Sequence, residues 1–234
     1  MKIINDLYDY KNRYIFQDDK LFKFSLDSLL LGEYSRNYLK GDIVDMCAGN
    51  MAIGLVISTY VNNKITGFEI QKEIADLANE SIIYNKLEGQ LNIINDDIKN
   101  IGKYYTSDSV DTFICNPPFF KKGDSKVINE NEGLAIARHE ICLTLEDTFK
   151  IASKYLKNKG SLLMVHRATR LDEIINLGII YNLKVKNIQL ISTKINTDPS
   201  IVLVRCVKNA SYNVKINNNI CIGEMTSYQG IFKE

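Results

Sequence analysis

Short β-branched runs alternate with longer stretches whose apolar residues recur at helical spacing. GDIVDMC (41–47), KITGFEI (64–70), LNIIND (91–96), DTFICN (111–116) and GSLLMVH (160–166) read as strands, most of them apolar on both faces. Between them, Ile74, Leu77, Ala78 and Ile82 share one helical face, and Ile141, Leu145, Phe149, Ala152 and Leu156 share another. A strand that is apolar on both faces needs cover on both sides, so the series predicts βαβ units and a mostly parallel α/β sheet with helices on both faces. After Gly160 a third helix around Leu171 to Leu177 leads into LKVKNIQLI (183–191), a TDPS turn and IVLVRCV (201–207). These last two runs bring the strand count to seven and predict an antiparallel hairpin at the end of the sheet.

The first forty residues include the apolar segment FSLDSLLLG (24–32) and read as a prelude packed on the same domain. With no repeat and no low-complexity linker, 1–234 is expected to be one domain: prelude 1–40, core 41–207, carboxyl-terminal extension 208–234.

Composition adds mostly exclusions. The amino terminus, MKIINDLYDY, carries acidic residues where a secretory leader would be apolar, and no apolar run approaches the roughly 18 residues of a membrane span, so a cytoplasmic protein is expected. The five cysteines are scattered without a CxxC, which predicts buried free thiols, no metal cluster and no disulfide framework. A net charge of +1 is uninformative, but Lys150, Lys154, Lys157, Lys159, Arg167, Arg170, Lys184, Lys186 and Lys194 face only Asp172 and Glu173 over the same stretch. That excess reads either as a basic face for phosphate backbones or as a solvated helix face.

Ligands of open parallel sheets bind beyond the carboxyl ends of the strands. The first such loop, DMCAGNMAIGL, has Cys47 and Met51 where a pyrophosphate-binding GxGxxG would have glycines. A cofactor without phosphates, such as S-adenosylmethionine, needs only the tight turn that Gly49 offers, with Asn50 as a helix cap. Twenty residues on, Glu69 ends the second strand, placed for ribose hydroxyls; the third strand ends in Asn95-Asp96-Asp97, where a carboxylate can accept from an adenine amine.

Two of the chain's three prolines follow the fourth strand in DTFICNPPFF. Asn116 and the carbonyl of Pro117 form a pair of acceptors for a planar NH2 group, and the adjacent prolines remove competing N–H donors. Acceptors fixed in this way favour the pyramidal, developing-positive nitrogen of a methyl-transfer transition state without a strong base. Phe119 is placed to stack on a flipped-out base. His166, on the fifth strand, reads as a satisfied buried histidine.

The ordered set DMCAGN, GFEI and NPPFF resembles the class I S-adenosylmethionine-dependent methyltransferases that modify planar amines, a Rossmann-like fold. With FSLDSLLLG and ARHE (137–140), it is similar to the bacterial tRNA1(Val) adenine-37 N6-methyltransferase family over about residues 18–207. The resemblance implies cofactor contacts at Asp45, Cys47, Gly49, Asn50, Glu69, Ile70, Asp97, Ile98 and Asn116, with Asn116, Pro117 and Phe119 holding the target adenine. Met51 stands where such enzymes commonly have a glycine. Phe120, Lys121, Lys122, Arg138 and His139 would meet the tRNA, and the polar loop 121–133 would lie beside its channel; a monomer without metal is expected. Glutamine-amide methylation of a protein, guanine-N2 methylation of ribosomal RNA and a non-catalytic RNA-binding module are the competing readings.

Overall fold

The computed structural model describes residues 2–7, 10, 12–19, 21, 24–119, 142–223, 225 and 227–232. An antiparallel hairpin, β1 (Lys2–Asp6) and β2 (Tyr14–Asp18), leads to helix α1 (Leu26–Ser35). Then come β3 (Ile43–Asp45), α2 (Ala52–Ile57), β4 (Ile65–Phe68), α3 (Lys72–Tyr84), β5 (Leu91–Ile94), a 3-10 helix (Ile98–Lys103), β6 (Val110–Cys115), α4 (Leu145–Tyr155), β7 (Leu156–Arg167), α5 (Leu171–Ile180), β8 (Leu183–Ser192) and β9 (Ile201–Lys208). These last seven strands lie in the order β8-β9-β7-β6-β3-β4-β5, and only β9 runs against its neighbours.

The predicted terminal hairpin is therefore real but folded inward. β9 inserts between β7 and β8, and β8 runs parallel to β7 one strand away. Two short strands, β10 (Lys215–Ile216) and β11 (Ile220–Cys221), add in parallel to the far edge of β8. Leu156, expected on a helix, is the first residue of β7, because α4 ends at Tyr155; Ile141 lies outside the described residues.

The pleat sends neighbouring residues to opposite layers. Ile43, Ile114, Leu163 and Leu203 pack with α1, α2 and α3, whereas Val44, Phe113, Leu162 and Val202 pack with the 3-10 helix, α4 and α5. Helix α4 opens on a capping box in which Thr144 Oγ1 accepts from Asp147 N (3.0 Å) and Asp147 Oδ2 accepts from Thr144 N (3.1 Å). The amino-terminal hairpin docks on α3 through Phe16 N to Ser81 Oγ (2.9 Å) and Tyr14 N to Asn85 Oδ1 (2.9 Å). Glu33, buried in α1, accepts from Tyr10 Oη (2.7 Å), Gly230 N (2.7 Å) and Tyr60 Oη, joining the prelude, the turn after α2 and the carboxyl-terminal segment.

The turn after β3 has an unusual solution. Met51, not Asn50, is the cap residue of α2, and it has a left-handed backbone, φ 70°. That conformation costs a side-chain-bearing residue roughly 1–3 kcal/mol. Full burial of the Met51 side chain offsets the cost, and two glycines make room for it. A Cβ on Gly54 would lie 2.6 Å from Met51 Cε, and one on Gly67 would lie 2.9 Å from Met51 Sδ and 2.5 Å from the Cβ of Ala48.

Gly67 on β4 thus sets the depth at which the β3 loop rests. Gly67→Ala is expected to lower stability by about 1–3 kcal/mol through overpacking, read as a shift of the urea midpoint at unchanged slope; an unshifted midpoint would show that the loop is not seated on this glycine.

Candidate active site

A cavity of about 380 Å³ opens beyond the carboxyl ends of β3, β4, β5 and β6. This is the switch point of the sheet: from β3 the order runs to β4 and β5 on one side and to β6 and β7 on the other. The walls include Cys47, Gly49, Asn50, Glu69, Ile70, Asp97, Ile98, Asn116, Pro117 and Phe119, so ten residues expected from widely separated stretches meet around one space. Asp45 is the exception among those described. It is fully buried, it is not among the residues lining the cavity, and its Oδ1 accepts from Cys47 N at 3.3 Å. Phe120, Lys121, Lys122, Arg138 and His139, with the loop 121–133, lie outside the described residues.

Glu69 organises the floor. Its Oε2 accepts from Gly49 N (3.1 Å) and its Oε1 from Gln71 N (2.9 Å), tying the loops after β3 and β4 together. Asn95 braces the second loop by donating to the carbonyls of Glu69 (2.9 Å) and Ile70 (3.2 Å). Asp97 caps the 3-10 helix, its Oδ1 accepting from Lys99 N at 2.9 Å, while remaining on the cavity wall. Asn50 does not cap α2; its Nδ2 donates to the carbonyl of Phe16 at 3.3 Å and pins the β2 strand beside the cavity.

Burial shapes the acids here. It pushes Asp45 up to about 7, with the nearby Glu69 carboxylate adding to the rise. Burial raises Glu69 as well, and the backbone N–H groups of Gln71 and Gly49 oppose it. The Cys47 thiol is raised by its hydrogen bond with Cys115 and then by burial, which makes it a poor nucleophile. All five cysteines are unbridged, but only Cys115 and Cys206 are fully buried. Among the described residues no cluster of three or more His, Cys, Asp or Glu is placed to hold a metal, and no helix is long and apolar enough to cross a membrane.

One wall was not expected. Phe24, Ser25, Asp27 and Ser28, from the start of α1, line the same cavity, and Asn116 Nδ2 donates to Ser28 Oγ at 3.0 Å across 88 residues of sequence. The available signal was three polar residues interrupting the otherwise apolar FSLDSLLLG. Burial raises the Asp27 carboxyl, with the Ser25 hydrogen bond opposing it. His166 is only half satisfied: its Nδ1 accepts from Arg167 N (2.8 Å), which leaves the proton on Nε2, and that atom has no partner among the described residues. Its ring lies 5.2 Å from Phe119, tilted by 45°, and so supports the aromatic wall.

The basic stretch does not form one face. Lys154, Lys157, Lys159, Lys184 and Lys186 gather near the amino ends of the strands, where Val110 pairs with Leu156 and Leu183 with Lys208. Six residues of β6 separate that end from Asn116, about 20 Å at 3.3 Å per residue. Lys157 is engaged by Asp111 at 2.6 Å, and Lys159 donates to the carbonyl of Asn209 at 2.6 Å. Arg167, Arg170 and Lys194 sit at the other, cavity end.

The cavity suits an adenosine-bearing cofactor without phosphates. A Cβ on Gly49, whose φ is 53°, would project into open space, so bare backbone faces the ligand. Two carboxylates end successive strands, and apolar Ile70, Ile98 and Leu143 offer contact between them. Glu69, Asp97, Asn50 and the Gly49 backbone are the groups that would hold such a molecule.

The sequence signature of the family described as Methyltransferase small domain matches residues 23–176. Among relatives, the chain is 25% identical over 207 residues to a tRNA1(Val) (adenine(37)-N6)-methyltransferase of Shewanella woodyi, a match covering 86% of this chain and 84% of that protein. Its fold is similar to that of a protein described as a predicted O-methyltransferase from Agrobacterium tumefaciens, with a TM-score of 0.65 at 20% identity over 87% of this chain and 90% of that one. It is also similar to Pyrococcus horikoshii TYW2 in complex with MeSAdo, with a TM-score of 0.59 at 15% identity over 84% and 69% of the two chains.

Burial lowers His166 from 6.5 to about 3, with the charge of Arg170 adding to the effect. Between those values the unfolded chain binds the proton and the folded one does not, so stability is lost as pH falls through the window. Asp45 acts oppositely: from 3.8 to about 7 only the folded state keeps the proton, so its burial costs stability as pH rises. His166→Phe is therefore expected to gain in melting temperature relative to wild type as pH drops from about 7 to about 4.5; thermal melts that stay parallel across that range would remove the neutral-histidine assignment.

Proposed function

The chain belongs to the methyltransferase small domain family, with S-adenosylmethionine as methyl donor, and on that premise we propose that it methylates the exocyclic N6 amine of an adenine in a tRNA anticodon loop, position 37 of a valine tRNA being the expected target. The observation that carries the reading is the presentation of Asn116. Its amide stands at the cavity wall with Nδ2 engaged by Ser28, while Oδ1 has no donor among the described residues. The relative's name supports the choice of nucleoside and tRNA; the side chains support the amine chemistry.

S-adenosylmethionine brings an electrophilic methyl group on a sulfonium centre. The protein's part is to make a delocalised amine nucleophilic. Asn116 Oδ1 and the Pro117 carbonyl accept the two amine hydrogens, and neither proline offers an N–H to compete. Acceptors held on the rigid end of β6 favour the pyramidal nitrogen as its lone pair leaves conjugation and stabilise its developing positive charge. As the N–C bond forms the methyl–sulfur bond breaks, the neutral thioether departs as S-adenosylhomocysteine, and the surplus amine proton is lost to water. Phe119, backed by His166, offers an aromatic face to the extruded base. The raised Cys47 and Asp45 play no nucleophilic part.

Transfer of labelled methyl from S-adenosylmethionine into unmodified tRNA, followed by nucleoside digestion and mass spectrometry, is expected to yield N6-methyladenosine. N2-methylguanosine, or label in a protein glutamine, would overturn the substrate assignment. Asn116→Ala is expected to slow transfer by about 10²–10³-fold, the scale of losing a fixed transition-state hydrogen-bonding group, with cofactor affinity within a few-fold of wild type; turnover at the wild-type rate would sink the mechanism. Phe119→Ala should weaken productive RNA use by about 1–3 kcal/mol and leave calorimetric cofactor binding unchanged, whereas the reverse pattern would assign Phe119 to the cofactor.

A further inference from the structure

We propose that Asp27 is a specificity-determining residue that reads N1, the acceptor beside the amine on the Watson–Crick edge of the target adenine. The inference rests on the reading that Asn116 and Pro117 hold that amine. Their two carbonyl oxygens take both amine hydrogens, so the edge has one polar atom left, the N1 lone pair, which needs a donor once the base has left the stack. A desolvated acceptor without one is costly. The acceptor pair cannot serve it, the two prolines have no N–H, and Asn50 Nδ2 is held by the carbonyl of Phe16 at 3.3 Å.

The wall that meets Asn116 supplies the group. Ser25, Asp27 and Ser28 open α1 and line the cavity, and Ser28 Oγ lies 3.0 Å from Asn116 Nδ2, so this turn stands beside the amine acceptors. Asp27 also feels the charge of Arg167, the last residue of β7, which puts it toward the β7 side of the cavity. Its carboxyl is half-buried and uncommitted: among the described residues its one hydrogen bond is with Ser25 Oγ, long at 3.4 Å. Burial is the largest influence on it and raises it, with Ser25 and Arg167 opposing. A base seated against it removes more water and sets a lone pair opposite, and both favour the protonated carboxyl, the form that donates. The mount is firm: Leu29, Leu30 and Leu31 are fully buried, and a Cβ on Gly32 would lie 2.6 Å from Val56 Cγ1, so α1 is seated on α2 as closely as a glycine permits. Guanine, with an N1–H in that place, would set donor against donor.

The test deletes the atom that is read as well as the side chain that reads it. Unmodified tRNA is prepared with adenosine or 1-deazaadenosine, in which C–H replaces N1, at the methylated position. Single-turnover transfer is measured for wild type, Asp27→Ala and Asp27→Asn, with cofactor affinity by calorimetry and folding by thermal melting. Asp27→Ala is expected to lose about tenfold or more on adenosine, the scale of an acceptor left unpaired, with cofactor affinity within about twofold. The penalty for 1-deazaadenosine should be about tenfold smaller in Asp27→Ala than in wild type; the analogue's intrinsic effect on the amine is common to both proteins and cancels. Asp27→Asn, whose amide keeps an N–H donor, is expected to recover about fivefold or more of the loss. An equal 1-deaza penalty in both proteins, or wild-type rate in Asp27→Ala, overturns the proposal. So does Asp27→Asn as slow as Asp27→Ala, the mark of a carboxylate that accepts the amine proton, and so does a parallel loss of cofactor affinity, which would assign Asp27 to the cofactor. Should Asp27→Ala not fold, the near-isosteric Asp27→Leu takes its place in the cycle, and wild-type transfer to 1-deazaadenosine at the adenosine rate overturns the proposal without any variant. Absence of N6-methyladenosine from wild-type reactions on adenosine tRNA would sink the underlying reading, whereas its formation with no Asp27-dependent 1-deaza penalty sinks this inference alone.

Discussion

A buried carboxylate that serves two loops at once is the constraint on which the site depends. Glu69 accepts from Gly49 N with one oxygen and from Gln71 N with the other, so the turn after β3 and the turn after β4 share one anchor. Neither loop could satisfy those amides by ordinary sheet pairing, because both strands have ended, and an unpaired buried N–H is costly. The carboxylate fixes the separation of the two loops, hence the cavity's width at the point where a nucleoside would sit. Removing its charge would leave one of two amides facing a donor. The acid is thus an architectural group in its own right, and the same is true of Asp97 with its 3-10 helix.

The parallel strands were legible because burial on both faces writes itself as unbroken apolar runs, and Ile43 with Val44 or Leu162 with Leu163 serve opposite layers. The strand-end residues were legible for a related reason: in such a sheet, chain position after a strand is position at the rim. Three things were not. The insertion of β9 depends on which edge of β7 is free, a tertiary choice that local pattern does not encode. Asn50 has the composition of a cap, yet Met51 takes the cap position because Gly54 and Gly67 give its side chain somewhere to go. The lysine-rich stretch looked continuous in sequence, but the strand and helix through which it runs distribute its charges between opposite ends of the sheet.

Ser28 shows the limit most sharply. Its segment FSLDSLLLG is mostly apolar, and a serine in an apolar helix reads as tolerated rather than useful. Only the docking of α1 against α2, through the missing side chain of Gly32, brings that hydroxyl to the amide of Asn116. The relation between them has no counterpart in spacing or composition.

The inward placement of β9 also bears on how the chain assembles during synthesis. Strands β3 to β7 find their neighbours in the order in which they emerge from the ribosome, so the cofactor half of the sheet can pair early. β8 emerges next with no sheet partner of its own, and β7 keeps one edge open, until residues 201–208 arrive and bridge them with two antiparallel ladders. A nascent chain paused before that point exposes the open edge of β7 and both edges of β8, the condition in which strands pair with the wrong chain. Completion of the sheet therefore waits on β9, a demand on the folding route quite apart from the stability of the finished protein.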